Sequence, residues 1–193
     1  MEKTINEVFR NRVEKSKDRI AVEKKKNGKW EQVTWNEYYD NSRALGLSLT
    51  RIGVKKGDRV SLLSENRLEW LFSDMGTLGI GAVLVPIYTT LTAEEVEYIV
   101  ENSESKVLIV ENQDQLDKAL TFKDKTKTLE KIVVIEMPDR KISDSRIISF
   151  EELLSRGREK FEKSDRLFLA LSKEVAPEDP ATIVYTSGTT GRS

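Results

Sequence analysis

From Val54 onward the chain alternates strand-length runs rich in Val, Ile and Leu with amphipathic stretches of helical length, and few architectures satisfy that alternation. The runs are Arg59–Leu63, Ala82–Val85, Lys106–Val110 and Ile132–Ile135, with a weaker one at Arg146–Ser149. Strands apolar on both faces belong to parallel sheets covered on both sides. The intervening stretches are helical: Leu68, Leu71, Met75 and Leu78 reinforced by Trp70 and Phe72; Val96, Ile99 and Val100 behind a Thr92–Glu95 capping box; Gln113–Phe122; and a helix opened by Ser149 and Glu152 that carries Phe150, Leu153, Leu154 and Phe161. Right-handed crossovers between such strands build an α/β fold with an open, mainly parallel, twisted sheet and helices on both faces. Gly76, Gly79 and Gly81 permit close backbone approach, and Pro86 is expected to close the second strand.

The residues ahead of this region read as an opening layer, 1–53. Thr4 and Glu7 form a capping box for a short helix through Ile5, Val8, Phe9 and Val13. Asn27-Gly28 is a hairpin turn between Ile20–Glu23 and Lys29–Val33, with Lys24–Lys26 expected to be a solvated tip rather than a phosphate or lipid contact. A second capping box, Thr34 with Glu37, starts a helix striped by Tyr38, Ser42, Leu45, Leu49 and Ile52 and ended by Gly53. Trp30 and Trp35 are expected to anchor this layer. Residues 54–161 then form the βαβ sheet core. Within 162–193, the charged stretch 162–180, ending Pro177-Glu178-Asp179-Pro180, reads as a surface connector, and Ala181–Tyr185 as a short strand feeding a terminal loop. All three parts are expected to belong to one partial domain.

Composition narrows the chemistry. The chain has 193 residues, 34% of them charged, a net charge of -1, no cysteine and no histidine. Disulfides, thiolate metal sites and imidazole bases are therefore excluded, and there is no global electrostatic case for nucleic acid or for an anionic membrane. No apolar run reaches the length of a membrane-spanning helix, and no signal-peptide core is present at the N-terminus, so a cytoplasmic location is expected.

What remains for chemistry is the terminal run Tyr185-Thr186-Ser187-Gly188-Thr189-Thr190-Gly191-Arg192-Ser193. Gly188 and Gly191 let backbone amides converge on an anion, and Thr186, Ser187, Thr189 and Thr190 add hydroxyl donors for phosphate oxygens or an accompanying magnesium ion. It is no Walker A loop, because no Gly-x-x-x-x-Gly-Lys-Ser/Thr alignment exists. Spacing alone leaves open both phosphate binding and an ordinary Gly-rich hairpin turn.

The wider sequence resembles the adenylate-forming (AMP-dependent) acyl-CoA synthetases, and within them the long-chain fatty-acid CoA ligases. Tyr185–Gly191 matches the first seven positions of that family's Tyr-Thr-Ser-Gly-Thr-Thr-Gly signature. Gly57-Asp58-Arg59-Val60, Ser64-Glu65-Asn66-Arg67 with Glu69-Trp70, Gly81-Ala82-Val83, Val85–Thr92 and Pro180–Ile183 follow in the family's order. The resemblance implies activation of a fatty acid by ATP to an acyl adenylate, displacement of AMP by coenzyme A, and magnesium as the ATP counter-ion. It implies that Thr186, Ser187, Gly188, Thr189, Thr190 and Gly191 contact the β- and γ-phosphates, and it places no catalytic acid, base or nucleophile and no metal ligand in this chain. Ser193 stands where the family has proline. The family's lysine, adenine motifs, acyl tunnel and C-terminal domain have no counterpart here, so the chain is expected to be an incomplete N-terminal domain of a larger enzyme and inactive alone. Two further expectations are kept: a non-catalytic N-terminal dimerisation module, and Tyr88 as a substrate-side or packing residue.

Overall fold

The computed structural model describes residues 2–26, 28–158 and 161–186. Chain order is α1 (Ile5–Ser16), β1 (Ile20–Lys26), β2 (Lys29–Thr34), α2 (Trp35–Arg51), β3 (Arg59–Leu63), α3 (Leu68–Gly79), β4 (Val83–Ile87), α4 (Ala93–Asn102), β5 (Ser105–Val110), α5 (Gln113–Phe122), β6 (Lys131–Val134), β7 (Ile147–Ser149), α6 (Phe150–Arg158) and α7 (Phe161–Lys173). Strands β3–β7 form one parallel sheet in the order β4-β3-β5-β6-β7, and β1–β2 is a separate antiparallel hairpin.

Alternate residues of each strand feed two cores. Val60, Leu62, Leu84, Val107, Ile109 and Val133 pack with α1, α2, α3, α6 and α7 on one face, while Leu63, Val85, Leu108, Val110, Ile132 and Val134 pack with α4 and α5 on the other. The two-faced burial is why these strands carry apolar residues at nearly every position. Chain reversal works as expected at Thr34 and Thr92, where both halves of each capping box are present, and at Gly53, whose φ of +100° follows the end of α2.

Close backbone packing binds α2 to its neighbours. A Cβ on Gly76 would lie 2.6 Å from the Ser42 carbonyl oxygen, and one on Gly157 only 1.8 Å from that of Ala44. Only glycine admits these crossings.

Several local expectations change. Thr4 caps α1 through the Glu7 amide at 3.2 Å, but the Glu7 carboxylate accepts from the Lys3 amide, so the box is half made. Pro86 lies within β4 rather than closing it. The Leu84 amide points outward to Ala181, so the proline nitrogen two residues on faces the same outer edge and removes no bond to β3. Asn27 lies outside the described residues; its neighbour Gly28 has φ +78°.

The largest correction concerns 162–180. Helix α6 ends at Arg158, Phe161 belongs to α7, and α7 runs to Lys173, so most of the supposed connector is a helical strap. Its Phe168, 3% exposed, packs over Gly79 and Gly46, with Tyr39 edge-on at 5.9 Å. Tyr39 Oη donates to Asp165 at 3.1 Å, Arg43 pairs with Asp165 at 3.4 Å, and Arg10 donates to Ser172 Oγ at 3.1 Å. Charge density disguises this helix in the sequence, because its apolar stripe is narrow and its anchor fills a notch made by distant glycines. Likewise Ala181–Tyr185 is no regular strand: it makes a single parallel bridge, Thr182 to Leu84.

Candidate functional site

The launch point of the terminal loop is built by three groups of contacts. Asp179 accepts from the Ala176 amide at 2.7 Å and pairs with Lys56 Nζ at 2.6 Å, which holds its carboxyl below the usual range and pins the Pro177–Pro180 turn. Leu84 donates to the Ala181 carbonyl and accepts from the Ile183 amide, each at 3.0 Å, so the chain is tied to the outer edge of β4. Tyr185 then turns onto α4: its hydroxyl donates to Asn102 Oδ1 at 2.6 Å, and its ring meets Tyr98 edge-on at 6.4 Å. Burial and the Tyr98 hydroxyl raise the Tyr185 pKa, so the phenol stays a neutral donor at physiological pH. Of the loop residues themselves, Thr186 is described and exposed. Ser187, Gly188, Thr189, Thr190 and Gly191 lie outside the described residues.

At the carboxyl end of the sheet lies a second, polar cluster. Because β4 and β5 flank β3 on opposite sides, the connections leaving β3 and β5 diverge, and such switch points are where open α/β sheets hold ligands. Arg67, 10% exposed, reaches Glu69 at 2.7 Å, Glu136 at 2.9 Å and Glu111 at 3.4 Å. Glu111 also accepts from the Glu65 amide at 2.9 Å, and Glu65 accepts from the Thr89 hydroxyl. Lys118 holds the neighbouring turn through the carbonyls of Thr89 and Leu91, at 2.7 and 2.8 Å. Burial works against ionised Glu69, but the Arg67 contacts outweigh it and lower its pKa. The cluster therefore fixes the Ser64–Arg67 turn. Among the described residues, no group of three or more carboxylates could hold a metal ion. Tyr88, on the same rim, is 71% exposed, which removes it as a packing residue.

One group had no signal in the sequence. Asp74, on α3, has its carboxyl pushed up to about 6 by burial. Its partner Tyr38 is buried and raised in turn by that burial and by the Asp74 charge.

The launch site and sheet have clear relatives. The family model for AMP-binding enzymes matches residues 9–193. The chain belongs to this family. A long-chain-fatty-acid CoA ligase of Xenopus laevis is 29% identical over 98% of the chain, covering 25% of the relative. Another from Rattus norvegicus is 33% identical over 97% of the chain and 28% of the relative. Among solved structures, the coronafacic acid ligase of Pectobacterium brasiliense aligns with TM-score 0.69 and 27% identity, covering 80% of this chain and 29% of that one. A long-chain-fatty-acid CoA ligase of Archaeoglobus fulgidus shares the fold at TM-score 0.75 and 23% identity, over 95% of this chain and 34% of that one. The chain of this AMP-binding family member thus spans about a quarter of the length of the curated relatives it matches.

Proposed function

We propose that this chain is the triphosphate-holding N-terminal part of an ATP-dependent, AMP-forming long-chain fatty-acid CoA ligase. The observation that carries the reading is the Tyr185–Gly191 run, tethered through Ala181, Ile183 and Tyr185 to the edge of β4 and to α4, in a chain similar along its length to such ligases.

In the complete enzyme, the hydroxyls of Thr186, Ser187, Thr189 and Thr190 and the amides around Gly188 and Gly191 hold the β- and γ-phosphates of ATP. Magnesium would accompany the triphosphate and offset its charge, while this chain's hydroxyls and amides would hold the phosphate oxygens. The fatty acid carboxylate attacks the α-phosphorus, forming the acyl adenylate and releasing pyrophosphate, and the coenzyme A thiol then displaces AMP. This chain supplies phosphate binding and positioning, and none of its residues serves as acid, base or nucleophile. The absence of cysteine fits a cytoplasmic setting.

Alone, the chain forms no acyl-CoA. Incubation of the purified protein with ATP, magnesium, coenzyme A and palmitate should yield no palmitoyl-CoA, and titration with magnesium ATP should show millimolar or weaker binding. Product formation or micromolar binding would overturn this division of labour. A second reading, a homodimerising interaction module, is favoured by Tyr98 on α4 and Val184 in the segment that lies along β4, both of which stand exposed. Light scattering across concentration separates the two, since a strictly monomeric chain rules the module out.

A further inference from the structure

Two exposed aromatic side chains have different causes. Trp30, expected to anchor the opening layer, is 63% exposed on the hairpin, whereas Trp35 packs against Phe9 and Tyr38 as expected. Tyr98 is 61% exposed on α4, and there it meets the ring of Tyr185, the residue that opens the Tyr185–Gly191 run.

The chain approaches that run with few ties left. Among the described residues, the Ile183 amide is its last backbone group bonded to the sheet, and Val184 after it is exposed. Tyr185 is then held through its side chain. The ring lies against the core that α4 and α5 cover, and the hydroxyl donates to Asn102 Oδ1 at 2.6 Å.

The acceptor stands on a braced support. Asn102 is the last residue of α4, whose Val96, Ile99 and Val100 are buried in that core. Just beyond it, the Ser103 and Ser105 hydroxyls share a hydrogen bond of 2.8 Å, and the Ser105 and Ser61 hydroxyls share another of 2.8 Å. This buried chain ties the helix end to β5 and β3. Arg59 of β3 donates to the carbonyls of Ser103 and Glu104 and pairs with the Glu104 carboxylate at 2.6 Å. Glu104 itself has φ +51°, the left-handed conformation that ends a helix and that a non-glycine residue adopts only at a cost. A helix end with this many partners fixes Asn102 relative to the sheet.

We propose that Asn102 is a positioning residue for the triphosphate-holding loop, acting through the Tyr185 hydroxyl to set where Thr186–Gly191 leaves the sheet. The inference rests on the reading of that run as a phosphate loop. Adjacent Cα atoms are 3.8 Å apart, so a Tyr185 that swings free carries the amide and hydroxyl of Thr186 with it. A loop already aimed at the β- and γ-phosphates is ordered before ATP arrives, and binding then does not bear that ordering cost. The bond lies at the surface, so its loss costs global stability little while releasing the loop.

The test uses the full chain, isotope-labelled for amide spectroscopy, as wild type, Asn102→Leu, Tyr185→Phe, the double variant and Asn102→Asp. Leucine removes the acceptor at similar volume, phenylalanine removes the donor and keeps the ring, and aspartate keeps an acceptor. Without ATP, the amide resonances of Gly188 and Gly191 should move in the same sense in both single variants. They should move no further in the double variant and return towards their wild-type positions in Asn102→Asp. In titrations with magnesium ATP followed at the same amides, each single variant should bind about fivefold more weakly than wild type, the scale of one net hydrogen bond, and the double variant no more weakly than either. Unchanged thermal melts show that the variants are folded, and Tyr185→Phe with Asn102→Asp carries the test if the leucine variant is not. The proposal is overturned by Gly188 and Gly191 resonances that stay at their wild-type positions in either folded single variant that removes the bond, by effects of the two substitutions that add, or by shifts centred on α4 and β3 with the loop unmoved. Variant-dependent loop resonances in a chain whose loop amides ignore magnesium ATP support the tether and overturn instead the reading of the run as a phosphate loop.

Discussion

The seat of Phe168 gives a quantitative test of α7. The nearest atoms to a Cβ placed on Gly79 would be those of the Phe168 ring, at 2.2 Å for Cζ, 2.6 Å for Cε2 and 3.2 Å for Cε1. Gly79→Ala therefore forces the ring from its seat, an overpacking that costs about 1–3 kcal/mol. Phe168→Ala empties the same seat and should cost about 3–5 kcal/mol, a large share of the stability of a typical domain. The two changes must interact. With the ring gone, the alanine methyl occupies vacated space, and replacing a helical glycine recovers up to about 1 kcal/mol. The double variant should thus be no less stable than Phe168→Ala alone, a coupling of at least about 1 kcal/mol. Urea unfolding followed by circular dichroism measures all four corners of the cycle, with Phe168→Leu as the milder substitution if the alanine variant is unfolded in water. Additivity within about 0.5 kcal/mol would refute the packing of α7 onto α2 and α3.

Three other outcomes follow from the same geometry. Gly157→Ala drives a methyl into the Ala44 carbonyl, which is backbone and cannot swing aside, so denaturant unfolding should show a loss of about 3 kcal/mol or more. Asp74 has a folded pKa raised from 3.8 to about 6, so the unfolded state loses its proton first as pH rises. Its contribution to stability falls between those values by up to about 3 kcal/mol, and Asp74→Asn should be the more stable protein at pH 7 and the less pH-dependent one between pH 4 and 6, as read from paired unfolding curves. Arg67→Met removes the cation on which Glu69, Glu111 and Glu136 converge, so the melting temperature read by calorimetry at pH 7 should drop, and by more than for Arg67→Lys, which keeps the charge.

Much of the fold was legible because its determinants are local or periodic. Thr34 with Glu37, Thr92 with Glu95 and Gly53 act within a few residues of themselves, and the strands β3, β5 and β6 advertise two-faced burial at successive positions. What was hidden depends on distant partners. Phe168 is one aromatic in a charged stretch until Gly46 and Gly79 are brought beneath it, and Pro86 reads as a strand end until its nitrogen is seen to face the outer edge. The site followed the same rule. The run Tyr185–Gly191 is visible as a motif, but its tether to Asn102 and Leu84, and the convergence of Glu111 and Glu136 on Arg67, arise only when β3, β5 and β6 align their carboxyl ends.

The central claim is that this chain can hold ATP for acyl activation. It is tested most directly by substituting the chain for the matching third of the Archaeoglobus fulgidus long-chain-fatty-acid CoA ligase and measuring fatty-acid-dependent exchange of pyrophosphate into ATP. The account predicts exchange in the folded hybrid and a loss of about a hundredfold or more when Thr189 and Thr190 are both replaced by alanine, the scale of removing donors to a reacting phosphate or oxyanion. A hybrid that melts cooperatively yet exchanges no faster than its double-alanine variant would contradict it.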